Sequence, residues 1–315
     1  MWIVHFMLTL AALYAVSIAG MFFAQNRLLF PTMFAGAARV QLPASTWRLE
    51  VRTPDGKRLA GVRIPSQRAT ADGAPTLLGF GGNAWNAEVM ALTLHALFPH
   101  RDVVAFHYRG YAPSSGRPSA RALFSDSLII LDHLERTQGG ERIIPVGFSI
   151  GAAVAAYLAR HRPVVGLFLI TPFDSLEAVA RDLYWWVPVG LLIRNRMPTI
   201  EFVRGSLAPT AVITAERDTI VPKRRSAPLR AAIRNLVFER TIDAGHNDLY
   251  DHPDFASAAR EALMRVEVAS AKHPDARSLS ALSLRNGDLK HGTAARGRRG
   301  ASLASSRGYR LRCLR

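Results

Sequence analysis

Residues 143–160, IIPVGFSIGAAVAAYLAR, constrain this chain more than any other stretch. An apolar run meets Gly147-Phe148-Ser149-Ile150-Gly151, and an alanine-rich helical pattern follows. The order strand, sharp turn, helix gives a G-x-S-x-G string its structural context. A serine held in a strained turn tolerates little bulk on either side, and Gly147 and Gly151 supply that room. Ser149 then stands proud of the strand end. The N–H of Ile150 opens the helix and points at the same space. The plain alternative is a glycine-bracketed turn that merely contains a serine, and partners elsewhere in the chain decide between the two.

A serine nucleophile needs a base in hydrogen-bond reach and a third group to orient that base. His246 lies in Ala244-Gly245-His246-Asn247-Asp248, directly beyond the last apolar strand pattern. Asp218 lies in Glu216-Arg217-Asp218-Thr219-Ile220-Val221-Pro222, directly beyond the strand before it. In a parallel sheet, residues just past the carboxyl ends of the strands converge on one edge, so three distant residues can meet. Asp174 and Glu216 are the competing acids. Ordinary turn roles, a loop histidine or an Asx turn, are the bland readings of His246 and Asp218.

The pattern along the chain fits such a sheet. Alternating residues at 46–51 and at Arg58–Ile64 flank Thr53-Pro54-Asp55-Gly56, which is a hairpin signature. Apolar strands follow at Thr76–Phe80, 102–106, 143–148, 163–170, 211–214 and Leu236–Ile242, separated by helical patterns to about residue 98, from Ser119 to Thr137, at 229–235 and at 252–268. Nearly all-apolar strands alternating with helices describe a parallel sheet covered on both faces. Residues 172–206 carry Tyr184-Trp185-Trp186-Val187-Pro188 and Leu191-Leu192-Ile193, a heavy apolar load for a connector. They read either as a small helical cap above the site or as ordinary helix-to-sheet packing.

The two ends read differently from the middle. Residues 1–24 contain no Lys, Arg, Asp or Glu, and the length is that of a membrane-spanning helix. No basic residue precedes the apolar run, which favours an uncleaved anchor over a signal peptide. Arg27, Arg39 and Arg48 follow it, and by the positive-inside rule they would place that side in the cytoplasm. Residues 25–45 read as an interfacial linker in which 28–30 and Phe34 rest on lipid or on the domain. Residues 46–267 form the catalytic unit. Residues 268–315, rich in Ser, Ala, Gly and Arg, read as a disordered basic tail.

Charge needs the same division. The chain carries a formal +16, yet 268–315 alone hold eleven Lys or Arg against two Asp. The remaining excess is scattered among acids, with no recognition-helix, zinc-finger or aromatic–basic platform pattern, so nucleic acid is not the expected partner. The tail leaves room for a weak electrostatic hold on an anionic surface. Cys313 is the sole cysteine, which excludes an intramolecular disulfide or a thiolate zinc cluster. No H-E-x-x-H occurs and no histidine–carboxylate cluster has metal spacing. No cofactor is expected. Gly81-Gly82 lacks a following Lys-Ser/Thr, so a phosphate loop is unsupported.

The segments TLLGFGGNAWN, VVAFHYRGYAPSSGRPS, GFSIG, LITPFDSL, AERDTIVP and AGHND, in that order, resemble the serine-hydrolase branch of the α/β-hydrolase superfamily that carries a single N-terminal membrane anchor. The likeness spans roughly residues 20–265. It implies an eight-stranded, mostly parallel sheet with an antiparallel opening, helices on both faces and a small cap. It implies Ser149, Asp218 and His246 as the catalytic trio, and backbone N–H groups of Asn83 and Ile150 as the oxyanion hole. Gly81 stands where the family usually has a histidine, which bears on the rigidity of that loop. Arg109, in the Tyr-Arg-Gly turn, is implied as a structural anchor of the oxyanion side, and His107 and His95 read as structural. The implied activity is hydrolysis of esters or thioesters of apolar acyl groups at a membrane, with an amide-cleaving peptidase and a non-catalytic binding protein as the alternatives. A bacterial inner membrane is the implied location, with the side of the domain left open. Substrate identity, acyl length and oligomeric state are not encoded in any of these motifs.

Overall fold

The structure is a computed structural model, and it describes residues 1–33, 35, 40–67, 73–137 and 142–272. Phe34 and Arg39 of the expected linker, and the basic tail from residue 273 with Cys313, lie outside the described residues.

The strands are β1 (Trp47–Arg52), β2 (Arg58–Ile64), β3 (Thr76–Phe80), β4 (Val103–Phe106), β5 (Ile143–Phe148), β6 (Leu167–Ile170), β7 (Thr210–Ala215) and β8 (Leu236–Ile242). They form one sheet in the order β1-β2-β4-β3-β5-β6-β7-β8. β1 pairs antiparallel with β2, and β2 antiparallel with β4; every other pairing is parallel. The helices are α1 (Trp2–Leu29), α2 (Ala87–Leu97), α3 (Ala120–Thr137), α4 (Ile150–His161), α5 (Leu176–Leu183), α6 (Val189–Leu192), α7 (Thr199–Gly205), α8 (Lys223–Ala232) and α9 (Pro253–Lys272). This is the architecture that the strand spacing and the resemblance implied.

Strands β3 to β7 are buried at every position. Successive side chains on a strand point to opposite faces, so one all-apolar strand feeds two cores. Leu77, Val103 and Ile144 pack in the cluster that contains Met90 and Leu94 of α2 and Phe255 and Leu263 of α9. Their neighbours Leu78, Val104 and Ile143 pack in the cluster with Leu131 and Leu134 of α3 and the alanines of α4. Local signals fix the helix starts. The Asn86 carboxamide oxygen accepts the Glu88 and Val89 N–H groups at 2.8 and 3.2 Å, and Ser119 Oγ accepts the Ala122 N–H at 3.1 Å.

Four boundaries differ from the sequence expectation. The helix expected at 229–235 is α8, which starts at Lys223 and ends at Ala232. Its first turns are charged and exposed, and only Ser226 and Leu229 are buried, so the apolar pattern begins late. β6 is shorter than 163–170: Pro163 has no N–H to donate, and a Cβ on Gly166 would overlap Val266 of α9. The closing helix α9 continues to Lys272, burying Ser270 beyond the point where apolar spacing fades. The first helix runs past residue 24 to Leu29, because its polar last turn meets the 172–206 segment. Gln25 Nε2 donates to the Leu192 carbonyl at 3.3 Å, Gln25 Oε1 accepts the Arg194 N–H at 2.8 Å, and Asn195 Nδ2 donates to Asn26 Oδ1 at 2.7 Å.

The 172–206 segment divides into two parts. α7 packs on α4 and α8 as an ordinary covering helix. α5 and α6 instead pack on each other and lie against α1, where Ala180, Val189 and Leu192 line an apolar pocket with Met21 and Phe22; these two helices are the small cap.

Candidate active site

β5 ends one residue before Ser149, and α4 begins one residue after it. Ser149 holds φ 52° and ψ −115°, a conformation that a side-chain-bearing residue avoids unless its surroundings impose it. The surroundings do so here. A Cβ on Gly147 would overlap the Gly151 carbonyl oxygen, and one on Gly151 would overlap the Phe80 carbonyl oxygen at the end of β3. The two glycines let strand, turn and neighbouring strand close to backbone contact. The Ser149 N–H donates to the Ile170 carbonyl of β6 at 2.9 Å, which fixes the turn from the other side.

His246 and Asp218 lie on the loops after β8 and β7. His246 Nε2 is 3.2 Å from Ser149 Oγ, and His246 Nδ1 is 2.7 Å from Asp218 Oδ2. A carboxylate only accepts, so Nδ1 carries the proton and Nε2 presents its lone pair to the serine hydroxyl. Asp218 Oδ1 accepts the N–H groups of Ile220 and Val221 at 2.9 and 2.6 Å. With three hydrogen bonds the carboxylate has no freedom to turn, and both Asp218 and His246 are buried. The Gly245 backbone N–H beside Asp248, at the end of the histidine loop, draws its carboxyl below the usual range.

The two competing acids are engaged elsewhere. Asp174 pairs with Arg225 at 3.0 Å, and Glu216 lies 3.6 Å from Lys223 Nζ. Beside the turn, the loop after β3 brings Gly82 so close that an added Cβ would stand 3.7 Å from Ser149 Cβ. Asn83 follows Gly82 in that loop, and Ile150 opens α4 directly after Ser149. Among the described residues neither amide donates to another group.

The loop is pinned by residues that motif reading did not single out. Tyr108 Oη donates to the Gly81 carbonyl at 2.8 Å, and Tyr111 Oη reaches Asn83 Oδ1 at 3.5 Å and meets the Ala84 backbone. Burial raises both phenols far above their ordinary range, so they stay neutral donors. These hydroxyls hold the loop at the position where Gly81 replaces the family histidine. Arg109, between them, faces away. Its Nε and Nη2 grip the Asp126 carboxylate at 3.0 and 2.5 Å, and Nη1 reaches Asp55 at 2.6 Å. Burial pushes the Asp126 carboxyl up, and the two arginine bonds draw it back without cancelling that. Arg109 is thus a structural clamp between the first hairpin and α3.

Behind Ser149, Trp85, Phe148 and Tyr250 form a packed aromatic triangle with ring centroids 4.9, 5.2 and 5.6 Å apart. Burial moves the Tyr250 phenol up to about 12. His107 is buried with neither ring nitrogen bonded, and burial lowers its pKa; His95 Nε2 lies 3.3 Å from Gln67 Nε2. Neither reaches the serine. The described residues contain no group of three or more His, Cys, Asp or Glu placed to hold a metal ion.

Comparison with known proteins places this geometry. Residues 73–205 match the model of the alpha/beta hydrolase family. The chain is 34% identical over 270 residues to the uncharacterized protein Rv2307c of Mycobacterium tuberculosis, covering 82% of this chain and 94% of that relative. It is 27% identical over 204 residues to the lysophosphatidylserine lipase ABHD12 of Danio rerio, covering 58% of this chain and 51% of that one. The solved structure of the Pyrococcus furiosus esterase Pf2001 superposes with a TM-score of 0.58 at 17% identity, over 73% of this chain and 95% of that structure, a likeness of fold.

Proposed function

The chain belongs to the alpha/beta hydrolase family, and from that premise we propose that it is a serine hydrolase cleaving esters or thioesters of apolar acyl groups at a membrane surface. One observation carries this above all others: the unbroken hydrogen-bonded series from Ser149 Oγ through His246 to Asp218.

In the proposed course, Ser149 Oγ attacks the acyl carbonyl carbon while His246 Nε2 takes its proton. The Asn83 and Ile150 N–H groups hold the oxyanion that forms, which in sites of this kind contributes about 10²–10³-fold per donor. Asp218 keeps the imidazole oriented and balances its charge. The imidazolium then protonates the departing alcohol or thiol, leaving an acyl-serine. Water, deprotonated by the same imidazole, attacks that ester, and the proton returns to Ser149 as the acid leaves.

The apolar substrate is supported by the first helix and by the name of the Danio rerio relative, a lysophosphatidylserine lipase. α1 is long and apolar enough to cross a membrane, and we place it as a single-pass anchor, with the hydrolase unit over residues 46–267. The test is a panel of p-nitrophenyl esters of graded chain length, beside acyl thioesters and aminoacyl amides. Turnover of esters and thioesters, rising from acetyl toward longer chains, is the expected result. Turnover of the amides alone would establish the peptidase, and none at all a binding protein.

A further inference from the structure

α1 and the cap together set a depth. A helix rises 1.5 Å per residue, and about twenty apolar residues are needed to cross the hydrocarbon of a bilayer. Counted from the start of α1, those twenty are residues 2–21. The catalytic body meets the helix well before residue 21. Tyr14 Oη donates to the Trp186 carbonyl at 2.9 Å, and the two rings lie edge to face at 6.5 Å. An apolar groove between Tyr14, Ile18 and Phe22 on one side and Pro188 and Leu192 on the other continues the contact. About 10 Å of helix, from Tyr14 to Met21, therefore lies within the required span and against the cap.

The cap is built for that depth. Residues 183–193 contain no ionisable side chain other than the Tyr184 phenol. Trp185 is 84% exposed and Leu191 87%, with Leu183 also exposed; the other exposed large apolar groups of the body, such as Trp47, Ile220 and Met264, are less exposed than these two and lie on separate elements. The backbone of the stretch turns inward on itself. Val187 N–H donates to the Tyr184 carbonyl, Val189 to Val187, Leu191 to Pro188 and Ile193 to Val189. Internal pairing of this kind is what hydrocarbon demands of any backbone inside it. Arginines border the stretch: Arg196 Nη2 donates to the Gly190 carbonyl at 3.0 Å, the Arg181 guanidinium lies beside Gly190, and the Arg194 guanidinium lies 4.0 Å over the Phe22 ring, all on side chains long enough to reach a headgroup phosphate.

We propose that residues 183–193 are a second membrane-inserted element, sunk into the same leaflet beside α1 with Trp185 and Leu191 in contact with acyl chains. The inference rests on the membrane-anchor reading of α1. α5 leaves the sheet from the end of β6, the strand whose Ile170 carbonyl holds the Ser149 turn. Insertion of the cap therefore seats the active-site edge on the lipid surface, and substrate arrives from the leaflet.

The test uses the full chain in phosphatidylcholine–phosphatidylglycerol vesicles. In a Cys313→Ser background, single cysteines replace Trp185 or Leu191, both too exposed for the change to disturb packing, and carry a spin label. Leu8→Cys in α1 and Arg52→Cys on β1 are the dry and wet controls. The expected result is high collision with oxygen and loss of collision with aqueous nickel chelate at 185 and 191, as at Leu8. Nickel access equal to that at Arg52, with Leu8 dry, overturns the proposal alone. Nickel access at Leu8 as well overturns the anchor with it. Low collision with both reagents at 185 and 191 means a protein surface covers the apex, a second copy for instance, and also refutes lipid contact.

Discussion

At the Ser149 turn, atoms of this protein crowd the backbone: the Gly151 and Phe80 carbonyls, the Ile170 carbonyl, the Phe148 ring in its aromatic triangle. Around Trp185 and Leu191, most of the surface has no protein against it. The two regions are joined by β6 and α5 and are built on opposite terms. The first is closed sterically, so its conformation follows from which residues are too large to be there. The second is closed only in part, by α1, and what is left open is apolar. A strained nucleophile persists where neighbours over-determine it; an exposed apolar apex persists where the solvent beside it is not water. The chain thus places rigidity at the chemistry and lipid compatibility at its approach.

The sharpest way to break this comparison is to leave the rigid region intact and remove only its electrostatics. Asp218→Asn keeps the shape but makes the group a donor toward Nδ1, which favours the wrong histidine tautomer. kcat on a soluble short-chain ester is expected to fall about 10⁴-fold with the melting temperature nearly unchanged. Gly151→Ala attacks the steric closure itself. The added methyl has only the Phe80 backbone to meet, so a destabilisation above about 4 kcal/mol is expected, seen as loss of folded protein or a collapsed urea midpoint.

Arg109→Met is milder. It strands the buried Asp126 carboxylate, with an expected cost of about 3 kcal/mol at neutral pH. Burial already holds this carboxyl above its unfolded value, so between the two values the native state binds more protons than the unfolded one, and stability falls as pH rises. Without the arginine that slope steepens. The gap in melting temperature between variant and parent should therefore narrow toward and below about pH 4, the ordinary aspartate range. A gap that widens on acidification contradicts the assignment. Leu191→Ser belongs to the open region and should shift stability by less than about 0.5 kcal/mol in detergent, while slowing hydrolysis of vesicle-borne esters relative to soluble ones. A large loss of stability would mean that the apex is closed by protein after all.

Much of the closed region was legible in the sequence because its constraints are local. Glycines at 147 and 151, an apolar run before and alanines after leave one sensible backbone, and the order of Ser149, Asp218 and His246 follows from strands that end at one edge. The mostly parallel sheet with its antiparallel opening was legible through the resemblance and the apolar strands alternating with helices. What escaped was non-local or silent. Tyr108 and Tyr111 read as part of an arginine turn, since nothing in their spacing says that their hydroxyls reach the loop after β3. α8 began six residues before its apolar signal, because an exposed helix with one buried leucine has no period to read. The length of α1 was misjudged at its polar end, where Gln25 and Asn26 look like a linker until the cap supplies their partners.

The measurement closest to the central claim is covalent capture of the nucleophile. A fluorophosphonate offered to the full-length protein in detergent should attach once, and peptide mapping should place the adduct on Ser149, with labelling lost in Ser149→Ala and slowed strongly in His246→Ala. Folded protein that takes up no probe, or carries it on another serine, would contradict the account.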